Sequence, residues 1–539
     1  MPRKPAPKRA PTTTAATASG ASTTLVTFLP IADANAAAAA AAPADAANAA
    51  TTVDVPLDAS TIQLEGVVNE LLGNRDKVPY AFYTTTAAST SADDLVEITG
   101  TLNDCVAELG LSTETALVVR YQPLALFRVN PVTRCTDSLP GHTEAVLHVQ
   151  FSPDGRRLAS GGGDAMVRFW DVDTCTPLFV CKGHRNHVLC TAWSPDGLVF
   201  ISGDRDGVIR AWDPETGGDK LKPLVGHKKW ITALAWEPLH RAKTETASRF
   251  ASASKDATCK IWNVRSARCE ATLTHHTDSI EAVAWGGEGL LYTASRDRTV
   301  VCWFEDVADG AFKIARVLTG HAHRINAVAL SNAFVLRTGA FDPEEAALAR
   351  HDTTRKRAKG EPLPAATTSS MVERARQRYE RAKAKTGDSA SMPFERLVTC
   401  SDDFTLFMWY PTLDKKPVAR MPGHVQAVTH LCFSPDGRLL ASASFDKKLK
   451  LWDGRTGRYL HTLHGHVGRV YQVCWASDSR LLCSASKDSS VKLWEARDPS
   501  SAKGTLAGHA DEVFALDWSP NGEMVASGSK DRLVKIWRP

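Results

Sequence analysis

Little in these 539 residues marks an enzyme, a secreted protein or a membrane protein. The 12 cysteines are scattered from Cys105 to Cys483 without a CxxC pair. That suits neither a disulfide framework nor a zinc site, and points to a reducing compartment in which thiols fill the core. No apolar run approaches the roughly 18 residues needed to span a bilayer, and no apolar stretch follows the first methionine, so a soluble, intracellular chain without a membrane partner is expected. P-loop, HExxH and GxSxG patterns are absent, and with them any nominated catalytic site, cofactor site or small-molecule substrate. An excess of charge of one sign is nearly lacking too: 64 Lys and Arg face 60 Asp and Glu, for a net charge of +4. That balance permits contact with nucleic acid or acidic proteins and requires neither. Acidic residues are missing before Asp33. Residues 1–21 read as a solvated tail with a short basic import patch (Arg3, Lys4, Lys8, Arg9) rather than a transit peptide, because TTLVTFLP already reads as the first strand of a domain.

What is abundant is repetition. From His142 onward one pattern recurs eight times: Gly-His or a variant, an alternating apolar strand, a Ser or Thr, an Asp, then a Trp. His142 to Trp170, His184 to Trp212, His424 to Trp452, His466 to Trp494 and His509 to Trp537 are each separated by 28 positions. The remaining copies pair His227 with Trp262, His276 with Trp303 and His321 with Trp409 across altered loops. An Asp lies six residues before every Trp (Asp164, Asp206, Asp256, Asp297, Asp403, Asp446, Asp488, Asp531), and a Ser or Thr lies ten before it (Ser160, Ser202, Ser252, Thr293, Thr399, Ser442, Ser484, Ser527).

Each unit reads as four short strands, as in VLHVQFSP, RRLASGG, MVRFWDV and PLFVCKG, separated by turn chemistry such as SPDG. A lone four-stranded sheet cannot bury both faces, so such units must pack radially and close a ring. Buried polar groups need partners, and a relay from His to Asp to Ser/Thr and on to the Trp indole explains why the four residue types recur together. Eight equivalent copies mark a structural staple rather than a Ser-His-Asp catalytic triad. The last repeat stops after its third strand, and residues 133 to 139 are expected to supply its fourth. The GH, SxxxD and WD residues resemble the WD-repeat family over about four fifths of the chain, with His275 in place of Gly and with Trp303-Phe304, Trp409-Tyr410, Trp494-Glu495 and Trp537-Arg538 as mild departures. The expected fold is an all-β eight-bladed WD-repeat β-propeller over residues 123–539.

Two charged features stand out on that scaffold. The fifth repeat carries an insertion at about 337–394, leaving the face opposite the His and Asp loops, with a helical stretch near Val372 to Lys385. From His351 to Thr386 it holds ten Lys and Arg against four Asp and Glu. Contact with RNA or an acidic protein is one reading; a solvated basic loop is the other. On the His and Asp face, a basic residue precedes the turn Asp in five repeats (Arg205, Lys255, Arg296, Lys487, Lys530), and Arg185, Lys228, Lys229, Arg324 and Arg469 follow the Gly-His loops. Together they form a candidate positive ring for phosphates, although such residues are common in WD repeats.

Residues 22–122 lack the repeat. They read as strand, strand, helix (TIQLEGVVNELLG), strand, a second helical piece and strand, with an Ala-rich stretch from Asn35 to Ala50 inserted between the first two strands. This order resembles a small α+β ubiquitin-like domain. IQLEGVVNELL, VPYAFY, GLSTETALVVRYQP and FRVNPVTRCTDSLPGH, joined to an eight-repeat array with a basic insertion in the fifth, resemble the Notchless family of WD-repeat ribosome (60S) assembly factors. The resemblance implies a non-enzymatic factor of the nucleus and nucleolus. Its ubiquitin-like domain would dock on the AAA ATPase midasin while the propeller holds pre-60S proteins and rRNA. It further implies that Glu114, in GLSTE, completes the shell of a Mg²⁺ held by midasin's adhesion site, a hard ion that takes a carboxylate oxygen in place of a water. The chain would have no cofactor of its own. A rival reading is a substrate receptor of a cullin ubiquitin ligase or a generic interaction scaffold, for which Trp452-Asp453-Gly454-Arg455 and Trp262-Asn263-Val264-Arg265 resemble the WDxR docking motif.

Overall fold

The computed structural model describes residues 23–30, 51–73, 78, 80–85, 95–98, 101–111, 116–123, 129–306, 308–343, 370–386, 393–498 and 501–539. The basic tail, the Ala-rich stretch, Glu114 and most of the insertion lie outside them. The chain divides into two compact units, residues 1–128 and 129–539.

In the first unit, β1 (Thr23–Pro30), β2 (Thr51–Pro56), α1 (Thr61–Leu71), β3 (Tyr80–Thr85), β4 (Leu95–Glu97), α2 (Leu102–Leu109) and β5 (Leu117–Pro123) follow in order. The sheet order is β2-β1-β5-β3-β4. β1 and β5 pair in parallel while β1–β2 and β3–β5 are antiparallel, the mixed sheet of a ubiquitin-like fold. The short β4 was not foreseen from the sequence. Local chemistry fixes both helix starts: the Ser60 backbone N–H donates to Gln63 Oε1 at 2.9 Å, and Thr101 and Asp104 exchange bonds across the first turn of α2. Gly110, in the left-handed region, ends α2. Val26, Phe28, Leu64, Val68, Phe82, Leu102 and Val119 form the core between sheet and helices.

Among the described residues the second unit contains eight four-stranded antiparallel sheets. Their first strands are Val146–Phe151, Val188–Trp193, Ile231–Trp236, Ile280–Trp285, Ile325–Leu330, Val428–Phe433, Val470–Trp475 and Val513–Trp518. Each first strand touches its two neighbours in turn, and the eighth touches the first, so the sheets form a closed ring of eight blades. Second strands such as Arg249–Ser254 (RFASAS) and Leu481–Ser486 (LLCSAS) are buried throughout, because a neighbouring blade covers each face. Their run of Ala, Ser and Gly lets adjacent sheets approach closely. Fourth strands such as Pro177–Lys182 are largely exposed.

The eighth blade takes its outer strand from the other end of the unit. Arg134–Leu139 pairs antiparallel with Val534–Arg538, Leu139 opposite Val534 and Arg134 opposite Arg538. The expected closing strand is therefore in place, and it joins the two ends of the ring.

Candidate interaction surface

The recurring polar residues converge inside each blade. Asp accepts from His Nδ1 at 2.8–3.0 Å, His Nε2 faces the Ser or Thr Oγ at 2.6–2.9 Å, and the Trp indole N–H donates to that oxygen at 2.7–3.0 Å. The order is thus Asp–His–Ser/Thr–Trp. The histidine sits in the middle, where the sequence reading put it at the end, because only its ring has two opposed nitrogens able to bridge the loop Asp and the strand hydroxyl. One neutral tautomer satisfies the chain: Nδ1–H donates to Asp, and Nε2 accepts from a hydroxyl that itself accepts from indole. Hydrogen bonding outweighs burial at Asp256. Asp256 is held at about 2 despite its burial by Thr258, the Lys228 N–H and His227.

One copy departs from the sequence expectation. His184 pairs with Asp204 at 2.8 Å, not with Asp206. The position two after the relay hydroxyl is Gly or Ser in the other blades and Asp only here. Asp204 therefore reaches His184 directly and also accepts from the Asp206 and Val208 N–H groups at 3.0 and 2.8 Å. Asp206 turns outward and accepts from Asn186 Nδ2 at 2.9 Å. The doubled Asp in SGDRD was the signal available in the sequence.

The relays anchor the loops of one face, and the basic residues on that face fall into two classes. Arg296, Arg324, Lys487 and Lys530 each meet a carboxylate: Asp278 at 3.8 Å, Asp402 at 2.5 Å, Glu512 at 3.3 Å and Asp511 at 3.4 Å. Arg469 lies over Phe445 at 4.9 Å. Blades 2 and 3 differ: Arg205 and Lys255 lie over the half-buried Trp230 ring at 4.4 and 4.1 Å, and Arg185, Lys228 and Lys229 are exposed beside them. A uniform positive ring is therefore not what the fold builds. Acidic neighbours neutralise part of it, and over blades 2 and 3 the cations form an arc with no carboxylate partner among the described residues. Of the exposed apolar side chains of this face, Phe404, Val425 and Val467 belong to blades 5 to 7 and Val225 to the outer strand of blade 2.

On the opposite face the described part of the insertion reaches across the ring. α3 (Ala333–Thr338) leaves the first strand of blade 5 and sends Arg337 across the ring. Its guanidinium donates to both oxygens of Asp517 in blade 8, and Asp517 also accepts from the Phe151 N–H of blade 1 at 2.8 Å. Gly339 then passes the Pro195 carbonyl of blade 2 so closely that a Cβ would sit 2.4 Å from it. α4 (Met371–Thr386) packs on the turn Leu239–Arg241 of blade 3 through Met371, Val372 and Ala375. Its Tyr379 ring stacks on His240 at 4.1 Å and 14°. Arg378 donates to the Gly339 and Phe341 carbonyls, and Lys383 pairs with Glu288 at 3.0 Å. These cations of the insertion hold the helix to the propeller. Glu114, the residue expected to reach a metal, lies in the undescribed stretch 112–115 between α2 and β5. Among the described residues no group of three or more His, Cys, Asp and Glu is placed to hold a metal.

Comparison with known proteins agrees with this architecture. The description "WD domain, G-beta repeat" matches residues 133–171, 175–213, 218–263, 267–303, 415–453, 457–495 and 500–538, every blade except the one split by the insertion. "NLE (NUC135) domain" matches residues 43–104. A crystal structure of the computationally designed Ika8 protein superposes with a TM-score of 0.54 at 22% identity, covering 75% of this chain and 98% of that one, which concerns the fold alone. "Protein Notchless" of Drosophila melanogaster is 47% identical over 391 residues, 72% of this chain and 73% of its own length. "Ribosome assembly protein 4" of Saccharomyces cerevisiae is 42% identical over 420 residues, 77% of each, and the "Notchless protein homolog" of Arabidopsis thaliana is 44% identical over 416 residues. With both domains matched and relatives this similar over most of their length, the chain belongs to the Notchless family of WD-repeat proteins.

Proposed function

We propose that this chain is a non-enzymatic assembly factor of the large ribosomal subunit, acting in the nucleus and nucleolus and linking the pre-60S particle to the AAA ATPase midasin. The observation that carries the reading is the likeness to ribosome assembly protein 4 across 77% of both chains. The architecture supports it: a small ubiquitin-like unit is joined to a ring that presents wide loop faces, and the strongly patterned polar residues of that ring are consumed by structural relays. A platform of this kind works by holding partners rather than by chemistry on a substrate.

In this reading the loop between α2 and β5 is the docking element, and Glu114 offers its carboxylate to a Mg²⁺ held by the partner. Both ends of that loop are fixed, by the Gly110 helix stop and by β5 in the centre of the sheet, which suits a loop that must carry a pulling load. The test is binding of the full chain to midasin's adhesion-site domain, with Mg²⁺ and with chelator, for wild type and Glu114→Ala. Loss of binding on chelation and on substitution is expected. Undiminished binding in either case removes Glu114 as the coupling residue. Sedimentation of the tagged protein with 60S precursors tests the wider assignment, and co-purification with a ligase adaptor in their place would overturn it.

A further inference from the structure

On the arc over blades 2 and 3, five cations gather around one indole, and none of them pairs with a carboxylate among the described residues. Trp230 precedes the first strand of blade 3. The Arg205 guanidinium carbon lies 4.4 Å and the Lys255 ammonium 4.1 Å from its ring centre, close enough for the indole to hold both charges in place. Lys228 and Lys229 project from the same loop as Trp230, and Arg185 from the loop entering blade 2. Arginine and lysine immobilised in this way present N–H groups without first having to be ordered, and the planar arginine fork matches two oxygens of one phosphate.

The borders of the arc are equally definite. Toward blade 1 lies Glu144, near His187 and the Gly163 turn; toward blade 4, Arg296 faces Asp278. Within the arc the one outward carboxylate among the described residues is Asp206, occupied by Asn186. It is outward because Asp204 has taken its place on His184, so the altered relay of blade 2 and the composition of the arc are linked.

We infer that this arc is an RNA-binding site that grips backbone phosphates, with Arg205, Lys228, Lys229 and Lys255 as the contacting residues and Trp230 as the residue that positions two of them. A protein partner is the weaker fit. Stable protein interfaces centre on desolvated apolar anchors, and most exposed apolar side chains of this face, Phe404, Val425 and Val467, lie on blades 5 to 7, with Val225 on the outer strand of blade 2 the one beside the arc among the described residues. An array of fixed cations around one indole suits a polymer that carries a charge on every residue. The site deepens the reading of this chain as a factor seated on an RNA-rich particle. Its test uses purified components, so its failure and the failure of that reading are distinguishable.

The test is fluorescence anisotropy of a labelled 20-nucleotide single-stranded RNA with the full chain, titrated at several salt concentrations. Arg205→Gln/Lys228→Gln/Lys229→Gln/Lys255→Gln is expected to bind at least about tenfold more weakly, with a log Kd against log salt slope flatter by about 2 to 3, since each lost phosphate contact removes about 0.7. Arg296→Gln/Lys487→Gln/Lys530→Gln, which removes carboxylate-paired cations of the same face, is expected to bind within about twofold of wild type. Lys228→Glu/Lys229→Glu alters exposed side chains alone and serves if the fourfold variant folds poorly; it too should weaken binding. Trp230→Leu keeps the charge, and a severalfold loss there supports the positioning role. Equal losses in the two Gln sets, or an undiminished fourfold variant, overturn the assignment. So does a polyglutamate peptide that displaces the RNA at equal charge and weakens in the same variants, an outcome that makes the arc an acidic-protein site.

Discussion

Every polar atom in a propeller relay has a partner, and that completeness is what makes the relay strong. Ser484, for example, accepts from the Trp494 indole at 2.8 Å and faces His466 Nε2 at 2.7 Å, both interactions buried. Ser484→Ala leaves two buried groups unmatched and should lower stability by about 1–3 kcal/mol, read as a urea midpoint shift at unchanged slope. Blade 2 offers a sharper test. Asp204→Ala should destabilise by a similar amount while Asp206→Ala stays within about 0.5 kcal/mol, although spacing from Trp212 alone ranks Asp206 as the relay residue. Equal effects from the two would sink the reassignment. The residue types of the relay were legible from their recurrence. Which Asp serves blade 2 was not, because a difference of two positions across a tight turn decides direction and cannot be heard in a count from the Trp.

At the level of elements, the insertion changes the ring from an open tube into one braced on a single face. α3 ties blade 5 to blades 8 and 1 through Arg337 and Asp517, and α4 continues onto blade 3. Arg337→Met strands a buried carboxylate and is expected to cost about 3–5 kcal/mol, whereas Arg337→Met with Asp517→Leu should recover much of that loss; thermal melts of the three proteins distinguish pairing from packing. Tyr379→Ala removes the stack on His240 and should expose the α4 segment to proteases without unfolding the blades, visible as a cut near residues 371–386. The sequence located this helix, over Val372 to Lys385 against the observed Met371–Thr386, and found its positive charge. It left open what the charge does, since Arg378 and Lys383 find their carbonyl and carboxylate partners on segments tens of residues away.

For the whole molecule, closure and protonation set the limits of stability. Deleting residues 131–139 leaves Val534–Arg538 as an open edge, and such a ring should unfold with a broader transition and associate edge to edge, as seen by light scattering. Acid acts through the histidines first. Burial lowers His148 and His430, which line the channel, to about 4, and also lowers His227, His240 and His509. The native state therefore binds fewer protons than the unfolded chain once pH falls below about 6.5. Stability should be level above pH 7, decline from about 6.5 toward 4, and fall again below about 4. There the relay aspartates Asp164, Asp256, Asp446 and Asp531, whose native values lie below the ordinary carboxylate range, take up protons and lose what their His and N–H partners contribute. A melting temperature that stays level from pH 7 to 4.5 contradicts this.

The number of blades, the strand that closes the ring and the residue types of its relays followed from the sequence by itself, because a repeated unit writes the same short-range chemistry eight times and its phase shows where a strand is missing. The order of partners within a relay, the substitution of Asp204 for Asp206, the neutralised cations of blades 4, 5, 7 and 8, and the crossing of Arg337 to Asp517 were decided by the tertiary structure alone. Each depends on which groups from distant segments meet across a few ångströms, and one-dimensional spacing carries no information about that.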